Sequence, residues 1–343
     1  MRGVVIHAPR DLRVEEVEAA PLGPRDVRVR IEAGGICGSD LHYYHHGGFG
    51  TVRLRQPMAL GHEIAGTVEE VGAEVTLVRP GDRVAVNPSR PCDACRYCRA
   101  GQRNHCLDMR FMGSAMRFPH VQGGFRQILE VDEQQAVPIA PTMSMAEAAM
   151  AEPLAVCLHA ARQAGSLFGA RVLVTGCGPI GALAIVAARL GGAIEIVATD
   201  VNDFPLSLAT RFGASRTINV AEDPQGLAPY AQDKGTFDVL FEASGNEAAL
   251  KGALEVLRPG GVVVQLGLGR DMSLPINLIV TKELQLCGTF RFHEEFRLAV
   301  DLMGKGLVDV KPLLTDTVPF DRAQEAFEFA SDRGRSVKVQ LVF

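Results

Sequence analysis

Hydrophobic and polar positions change their rhythm part-way along the chain. From Val27 to Glu32 apolar and charged residues alternate, the period of a half-buried strand. A strand pair is predicted at Val68–Val71 and Arg83–Val86, around the turn Pro80-Gly81-Asp82. Pro21, Gly23, Pro24, Gly34, Gly35, Gly47 and Gly48 punctuate this part, which reads as loop-rich, barrel-like β structure. Near residue 145 the pattern turns helical, and Met145–Gly165 is rich in alanine and leucine at helical spacing. Strands then follow at Arg171–Thr175, at Ile194–Thr199 ending in Asp200, and at Phe237–Glu242, Val262–Gly267 and Leu284–Thr289, with helices predicted at Ile180–Leu190 and Leu250–Leu257. Strands alternating with helices imply a parallel sheet. A helix over Glu294–Gly304 and a strand over Val337–Phe343 complete the pattern, with no repeat and no low-complexity segment.

At 343 residues the chain is longer than one hydrophobic core usually serves, so two domains are expected. A net charge of -5, with both signs mixed along the chain, argues against coating nucleic acid or an anionic membrane. No apolar run approaches the roughly 18 residues of a membrane span. The stretch Met1–His7 lacks a signal peptide's apolar core. The expectation is a cytoplasmic protein whose partners are small molecules, with no nucleic-acid or membrane partner.

Gly176, Gly178 and Gly181 spell G-x-G-x-x-G. Alone the pattern is weak, but here it follows a strand and, with Pro179 and Ile180, opens a helix. An acid, Asp200, ends the next strand 19 residues past Gly181. Gly176 permits the tight turn, Gly178 the approach of a pyrophosphate, and Gly181 close helix–strand packing, while the helix N-terminus offers unpaired N–H groups. The Asp200 carboxylate suits ribose hydroxyls and repels a 2′-phosphate, and Val201, Asn202 and Asp203 bring no arginine, so NAD is preferred over NADP. Leu266 and Gly267, ending a later strand, join the cofactor contacts. The competing reading is a doubly wound domain that binds something else.

Among eight cysteines, four fall in one short stretch: Cys92, Cys95, Cys98 and Cys106, spaced C-x2-C-x2-C-x7-C. In a long chain this favours metal over disulfides. Four thiolates converging from one loop suit a closed, structural tetrahedral zinc, with Arg96, Arg99 and Arg103 placed to offset their charge. An iron–sulfur cluster is the alternative.

Cys37 sits in Gly34-Gly-Ile-Cys-Gly-Ser-Asp, His62 and Glu63 in Gly61-His-Glu, and Glu152 in Ala151-Glu-Pro. Taken singly these are an inert core cysteine, a structural histidine and a helix-starting glutamate. Together with the four-cysteine loop and the glycine motif they stand in an order that resembles the medium-chain zinc alcohol dehydrogenases, over essentially the whole chain. Ser39-Asp-Leu-His-Tyr-Tyr, Phe111–Val121, Phe290-Arg-Phe-His-Glu-Glu-Phe and Lys338-Val-Gln-Leu-Val-Phe resemble the polyol branch, which includes sorbitol and threonine dehydrogenases, and most closely its L-idonate 5-dehydrogenase group.

The resemblance implies a Rossmann doubly wound α/β domain joined to a GroES-like β-barrel catalytic domain. Expected boundaries are 1–146 for the catalytic domain with a structural zinc lobe at about 88–110, 147–287 for the NAD-binding domain, and 288–343 for a return to the catalytic domain, with substrate in the cleft between. Two zinc ions per chain are implied: the structural one, and a catalytic one held by Cys37 and His62 with Glu63 or Glu152 completing the set. The activity implied is NAD(P)-linked oxidation of a secondary hydroxyl of a sugar acid, L-idonate to 5-keto-D-gluconate, or else of a neutral polyol such as sorbitol or xylitol. A non-catalytic dinucleotide-binding protein is the remote alternative. Zinc at the hydroxyl lowers its pKa. Ser39 is placed to take the proton, His42 to pass it on, and Glu152, if not a ligand, to act as base. Arg291 is a candidate for the substrate carboxylate, ahead of Arg110 and Arg117, and Tyr43 for a substrate hydroxyl. The pair His45-His46 reads as solvated loop. The family's habit implies a homodimer or homotetramer, with the strand Leu284–Thr289 available for pairing.

Overall fold

The computed structural model describes residues 1–343. The chain folds as two compact units: Met1–Glu152 with Phe296–Asp332 and Lys338–Phe343, and Pro153–Glu295 with Arg333–Val337.

The first unit is built on a seven-stranded sheet. Its order is Ala136–Pro138, Arg83–Val86, Glu63–Val71, Asp26–Gly35, Lys338–Val342 and Leu314–Pro319, with Ile128–Asp132 also pairing Asp26–Gly35. A three-stranded sheet of Asp11–Glu16, Arg2–Ala8 and Met58–Ala59 lies in the same unit. Alternation along Asp26–Gly35 puts Val27, Val29 and Ile31 into a core shared with Val4, Ile64, Val84, Phe125 and Leu341. Gly66 is required where strands meet: a Cβ there would lie 2.1 Å from the Arg30 carbonyl oxygen.

The second unit is a six-stranded parallel sheet in the order Arg216–Asn219, Glu195–Asp200, Arg171–Thr175, Phe237–Glu242, Leu257–Gln265 and Gln285–Gly288. Numbered along the chain this is 3-2-1-4-5-6, the doubly wound order, with its switch point between Arg171–Thr175 and Phe237–Glu242. Its four inner strands carry short continuous apolar runs, as expected where helices cover both faces of such a sheet. Leu173, Val197, Leu240 and Val263 are at most 1% exposed. The helix Glu247–Val256 is closed by a buried ammonium: Lys282 Nζ donates to the carbonyls of Leu254, Glu255 and Leu257 at 3.1, 2.7 and 2.8 Å.

The α/β class expected from the sequence is thus present, and three local readings change. The single helix expected over 145–165 is two, Met145–Ala148 and Ala151–Gln163. Ser144 caps the first through a capping box with Glu147, and Pro153 has no N–H to bond to the carbonyl of Ala149. A helix over Gly38–His46, which the apolar pattern did not predict, carries Ser39, His42 and Tyr43. Helices at Asp203–Phe212 and Ala323–Ser331 are likewise additional. No helix is long and apolar enough to cross a membrane.

Candidate functional site

Cys37 stands at the N-cap of the helix Gly38–His46, just after the strand Asp26–Gly35. His62 and Glu63 enter the neighbouring strand Glu63–Val71, which pairs antiparallel so that Gly35 lies opposite Glu63. That register brings three donors together: ligand atoms of Cys37, His62 and Glu63 all lie within 4.8 Å of one another. A Cβ at position 35 would fall 2.1 Å from a Glu63 carboxylate oxygen, so a side chain there would displace that carboxylate from the trio.

Asp40 ties the trio's backbone in place. Fully buried, it accepts from the amide of Cys37 at 2.9 Å and from that of Gly61 at 3.2 Å. Its Oδ1 faces His62 Nδ1 at 3.7 Å, and that nitrogen is buried with no hydrogen-bond partner. A carboxylate on this side keeps the ring proton on Nδ1 and the lone pair on Nε2, the orientation of carboxylate–histidine–metal arrangements. His62 Nε2 lies 3.4 Å from Ser39 Oγ.

Glu152 is also buried, at 5% exposure, but lies outside the trio, whereas Lys338 meets it directly. Lys338 Nζ donates to both oxygens of Glu63, at 2.8 and 2.7 Å, and to the carbonyl of Ile36 at 3.1 Å. Four acidic groups (Cys37, Asp40, Glu63 and Glu152) thus share a water-poor space with one permanent cation. The energetics record the imbalance. Burial, then the Glu63 charge, push Cys37 up to about 11. Burial, with Glu63 and Cys37, pushes Glu152 up to about 8. A dication among these donors reverses both shifts, so the residues fit a metal ion of zinc's preferences, with thiolate, imidazole and carboxylate ligands.

The helix of Ser39 also presents His42, half-buried, with its ring 5.9 Å from Phe49. Tyr43 is 1% exposed and its hydroxyl accepts from the Ala115 amide at 2.9 Å, so its contact is with the chain segment after Phe111. Phe111 packs against the His62 ring at 5.5 Å between centroids. The adjoining loops line a cavity of ≈ 360 Å³ that includes Arg53, Arg55, Ala115 and Met116.

In the four-cysteine loop, ligand atoms again lie within 4.8 Å of one another, with Cys95 and Cys98 sulfurs 3.6 Å apart. Thiolates at about 2.3 Å from one tetrahedral zinc stand about 3.8 Å apart. Sulfurs this close suit one ion rather than a multi-iron cluster. Of the arginines placed to offset the thiolates, Arg103 pairs with Asp93 at 2.6 Å and Arg96 lies over the Tyr97 ring. Backbone amides reach sulfur directly: those of Cys92 and Asp108 donate to Cys106 Sγ at 3.2 and 3.3 Å. Amides of Cys98 and Leu107 bring Cys95 down to about 6. Arg117 braces the lobe through Asp108 and the carbonyls of Leu107 and Met109. His45 bonds Ser331 Oγ at 2.7 Å and belongs to no metal-ligating group.

In the second unit Gly176 turns at φ +83° and Gly178 caps the helix Pro179–Leu190, with Pro179 at its first position. A Cβ on Gly181 would lie 1.7 Å from the Gly176 carbonyl oxygen. Asp200 ends its strand and accepts from the amides of Cys177, Val201 and Asn202 at 2.7, 2.7 and 3.0 Å. One carboxylate thus fixes the glycine turn to the end of the adjacent strand. The amides of Leu266 and Gly267 bond the Glu242 carbonyl at 2.9 and 2.8 Å. Arg291, at φ +57°, holds its guanidinium over the Phe290 ring.

The sequence reading gave no role to Asp40, Lys338 or Glu242. Asp40 had a local signal, the acid three residues after an N-cap. Lys338 had none, because its partner is 275 positions away, and the burial of Glu242 was not visible in the apolar pattern of its strand.

Comparison with known proteins places this geometry. The family description "Alcohol dehydrogenase GroES-like domain" matches residues 23–141, and "Zinc-binding dehydrogenase" matches 179–305. L-idonate 5-dehydrogenase (NAD(P)(+)) of Escherichia coli strain K12 is 45% identical, over 92% of this chain and 91% of that protein. The solved structure of L-idonate 5-dehydrogenase from E. coli K-12 superposes with a TM-score of 0.95 at 42% identity, over 100% of this chain and 98% of that one. Sorbitol dehydrogenase of Bacillus subtilis strain 168 is 34% identical, over 96% of this chain and 93% of that protein.

Proposed function

Since the chain belongs to the zinc-binding alcohol dehydrogenase family with a GroES-like domain, we propose that it oxidises a secondary hydroxyl of a sugar acid, L-idonate to 5-keto-D-gluconate, reducing NAD+ to NADH and releasing a proton. The observation that carries the reading is the buried trio Cys37, His62 and Glu63 beside the hydroxyl of Ser39.

Cys37 and His62 are the residues to hold a catalytic zinc, with Glu63 as the third donor of the trio and Glu152 within electrostatic reach. When bound, the ion supplies Lewis acidity that makes the substrate hydroxyl a readier acid. Asp40 orients His62, and Lys338 pairs with the Glu63 carboxylate. Ser39 receives the hydroxyl proton and His42 passes it on. Cys92, Cys95, Cys98 and Cys106 are the residues to hold a second, structural zinc. In the second unit the amides at the start of the helix Pro179–Leu190 receive the pyrophosphate and Asp200 the adenosine ribose.

The preference for NAD follows from that carboxylate. Asp200→Ala is expected to lower kcat/KM for NAD+ by about 10- to 100-fold, one charge-assisted hydrogen bond, and to lift the relative use of NADP+. Asp200→Asn, which keeps one acceptor oxygen for the Cys177 amide, separates loss of charge from loss of the whole side chain. Steady-state kinetics with both cofactors reads this, and an unchanged NAD+/NADP+ ratio in both variants would defeat the assignment.

The likeness to L-idonate 5-dehydrogenase supports an acid over a neutral polyol. Arg291 remains a candidate for the carboxylate. NADH formation with L-idonate and with sorbitol decides between them: turnover of idonate with little of sorbitol is expected, and the reverse ranking rejects the acid. Self-association is inferred from the edge strand Gln285–Gly288, flanked by exposed Ile276, Val280 and Leu286. Sedimentation equilibrium reads it, and a monomer at micromolar concentration would contradict it.

A further inference from the structure

Glu242 ends the strand Phe237–Glu242 and is fully buried, yet nothing in the proposed reaction uses it. Its carboxylate is held by hydrogen bonds alone. Oε1 accepts from the Thr175 hydroxyl at 3.2 Å, from the Ser244 amide at 2.9 Å, from the Ser244 hydroxyl, and from the Gly245 amide at 3.1 Å. Oε2 accepts from the Gly245 amide at 3.0 Å and from the Gln265 side-chain amide. The amides of Ser244 and Gly245 and the Gln265 side chain can only donate here, so both oxygens of Glu242 act as acceptors.

These donors come from the C-terminal ends of three neighbouring strands. Thr175 immediately precedes the Gly176 turn, Ser244 and Gly245 follow Glu242 itself, and Gln265 precedes Leu266 and Gly267. The turns are packed without slack. A Cβ on Gly176 would meet the Ser244 nitrogen at 2.8 Å, and one on Gly267 would meet the Gly245 nitrogen at 2.2 Å and Glu242 Oε2 at 2.8 Å. Thr175 and Glu242 also stand on opposite sides of the topological switch point, where a dinucleotide crosses from one mononucleotide half to the other.

We propose that Glu242 is a positioning residue for the cofactor: its carboxylate registers the turns at 244–245 and 266–267, which receive the nicotinamide half, against the glycine turn that receives the pyrophosphate. This rests on reading the second unit as the dinucleotide domain. The adenosine half depends on Asp200 and the helix Pro179–Leu190, which Glu242 touches only through Thr175, so the two halves of the cofactor respond differently to its loss.

The test uses the purified full chain and three variants: Glu242→Gln, which turns one acceptor into an NH2 facing donors, Glu242→Asp, and Ser244→Ala, which removes one donor and keeps the carboxylate. NADH affinity is measured by the change in its fluorescence, ADP-ribose affinity by competition, and thermal midpoint and bound zinc in parallel. Glu242→Gln is expected to weaken NADH by about tenfold or more, one hydrogen bond to a charged group, with ADP-ribose changed less than about threefold and zinc content unaltered. Ser244→Ala is expected to move NADH in the same direction by a smaller factor, and it decides the matter if the Glu242 variants do not fold. Unchanged NADH affinity in folded variants, or equal weakening of NADH and ADP-ribose, overturns the proposal. Failure of the unaltered protein to bind NADH overturns the dinucleotide reading itself, and the inference with it.

Discussion

Replacing His62 with alanine is expected to remove one equivalent of zinc per chain and to lower kcat/KM by at least about 10³-fold. The magnitude follows from the several kcal/mol that a Lewis acid contributes at a polarised oxygen, at 1.36 kcal/mol per factor of ten. The loss should fall on the reaction rather than on the fold. His62 belongs to a trio drawn from two paired strands, and both keep the rest of their ladder and core when the imidazole is gone. Removing it also leaves Cys37, Asp40, Glu63 and Glu152 with less reason to share a buried space, so cadmium or cobalt added to the variant should bind weakly. Metal analysis and NADH binding check this together: zinc reduced, NADH affinity kept, turnover lost. A variant with full metal content and full turnover would remove His62 from the site.

Ser39→Ala is expected to lower kcat at neutral pH by about 10²–10⁴-fold while zinc content and NADH affinity stay as they were. Ser39 lies 3.4 Å from the imidazole of the trio but supplies no ligand atom to it. Its proposed task is to take a proton, and that task has a pH signature. With the relay cut, hydroxide in solvent has to take the proton, so the variant should recover rate as pH rises, more steeply than the unaltered enzyme. Ser39→Thr, which restores a hydroxyl, should regain part of the loss. An alanine variant with the same pH profile as the parent would reduce Ser39 to a loop hydroxyl.

Much of this was legible in the residues because the signals are local. The spacing of Cys92, Cys95, Cys98 and Cys106 confines four sulfurs to one loop before any tertiary structure exists. The run Arg171–Thr175 followed by Gly176, Gly178 and Gly181 declares a strand, a turn and a helix within twenty residues. The helix Gly38–His46 was not legible, since Gly-Ser-Asp-Leu-His-Tyr-Tyr-His-His has no apolar stripe of helical period. It is fixed by its ends, Cys37 with Asp40 at one and Gly47 at φ +66° at the other. In the cysteine lobe the amides that donate to sulfur were not legible, because side-chain charge is visible in a sequence and amide direction is not. Lys338 and Glu242 were silent for another reason. A charged residue in a strand reads as solvent-facing until the fold shows its partners: Glu63 for Lys338, and Thr175, Gln265 and the turn at 244–245 for Glu242.

The pairing of Lys338 with Glu63 spans 275 positions of chain. The strand Lys338–Val342 is thus the element that brings the ammonium to Glu63. Cutting the chain before that strand would leave Cys37, Glu63 and Glu152 without the buried cation that faces them, so the last few residues of the sequence carry part of the electrostatics of a cluster whose other members all lie in the first 152.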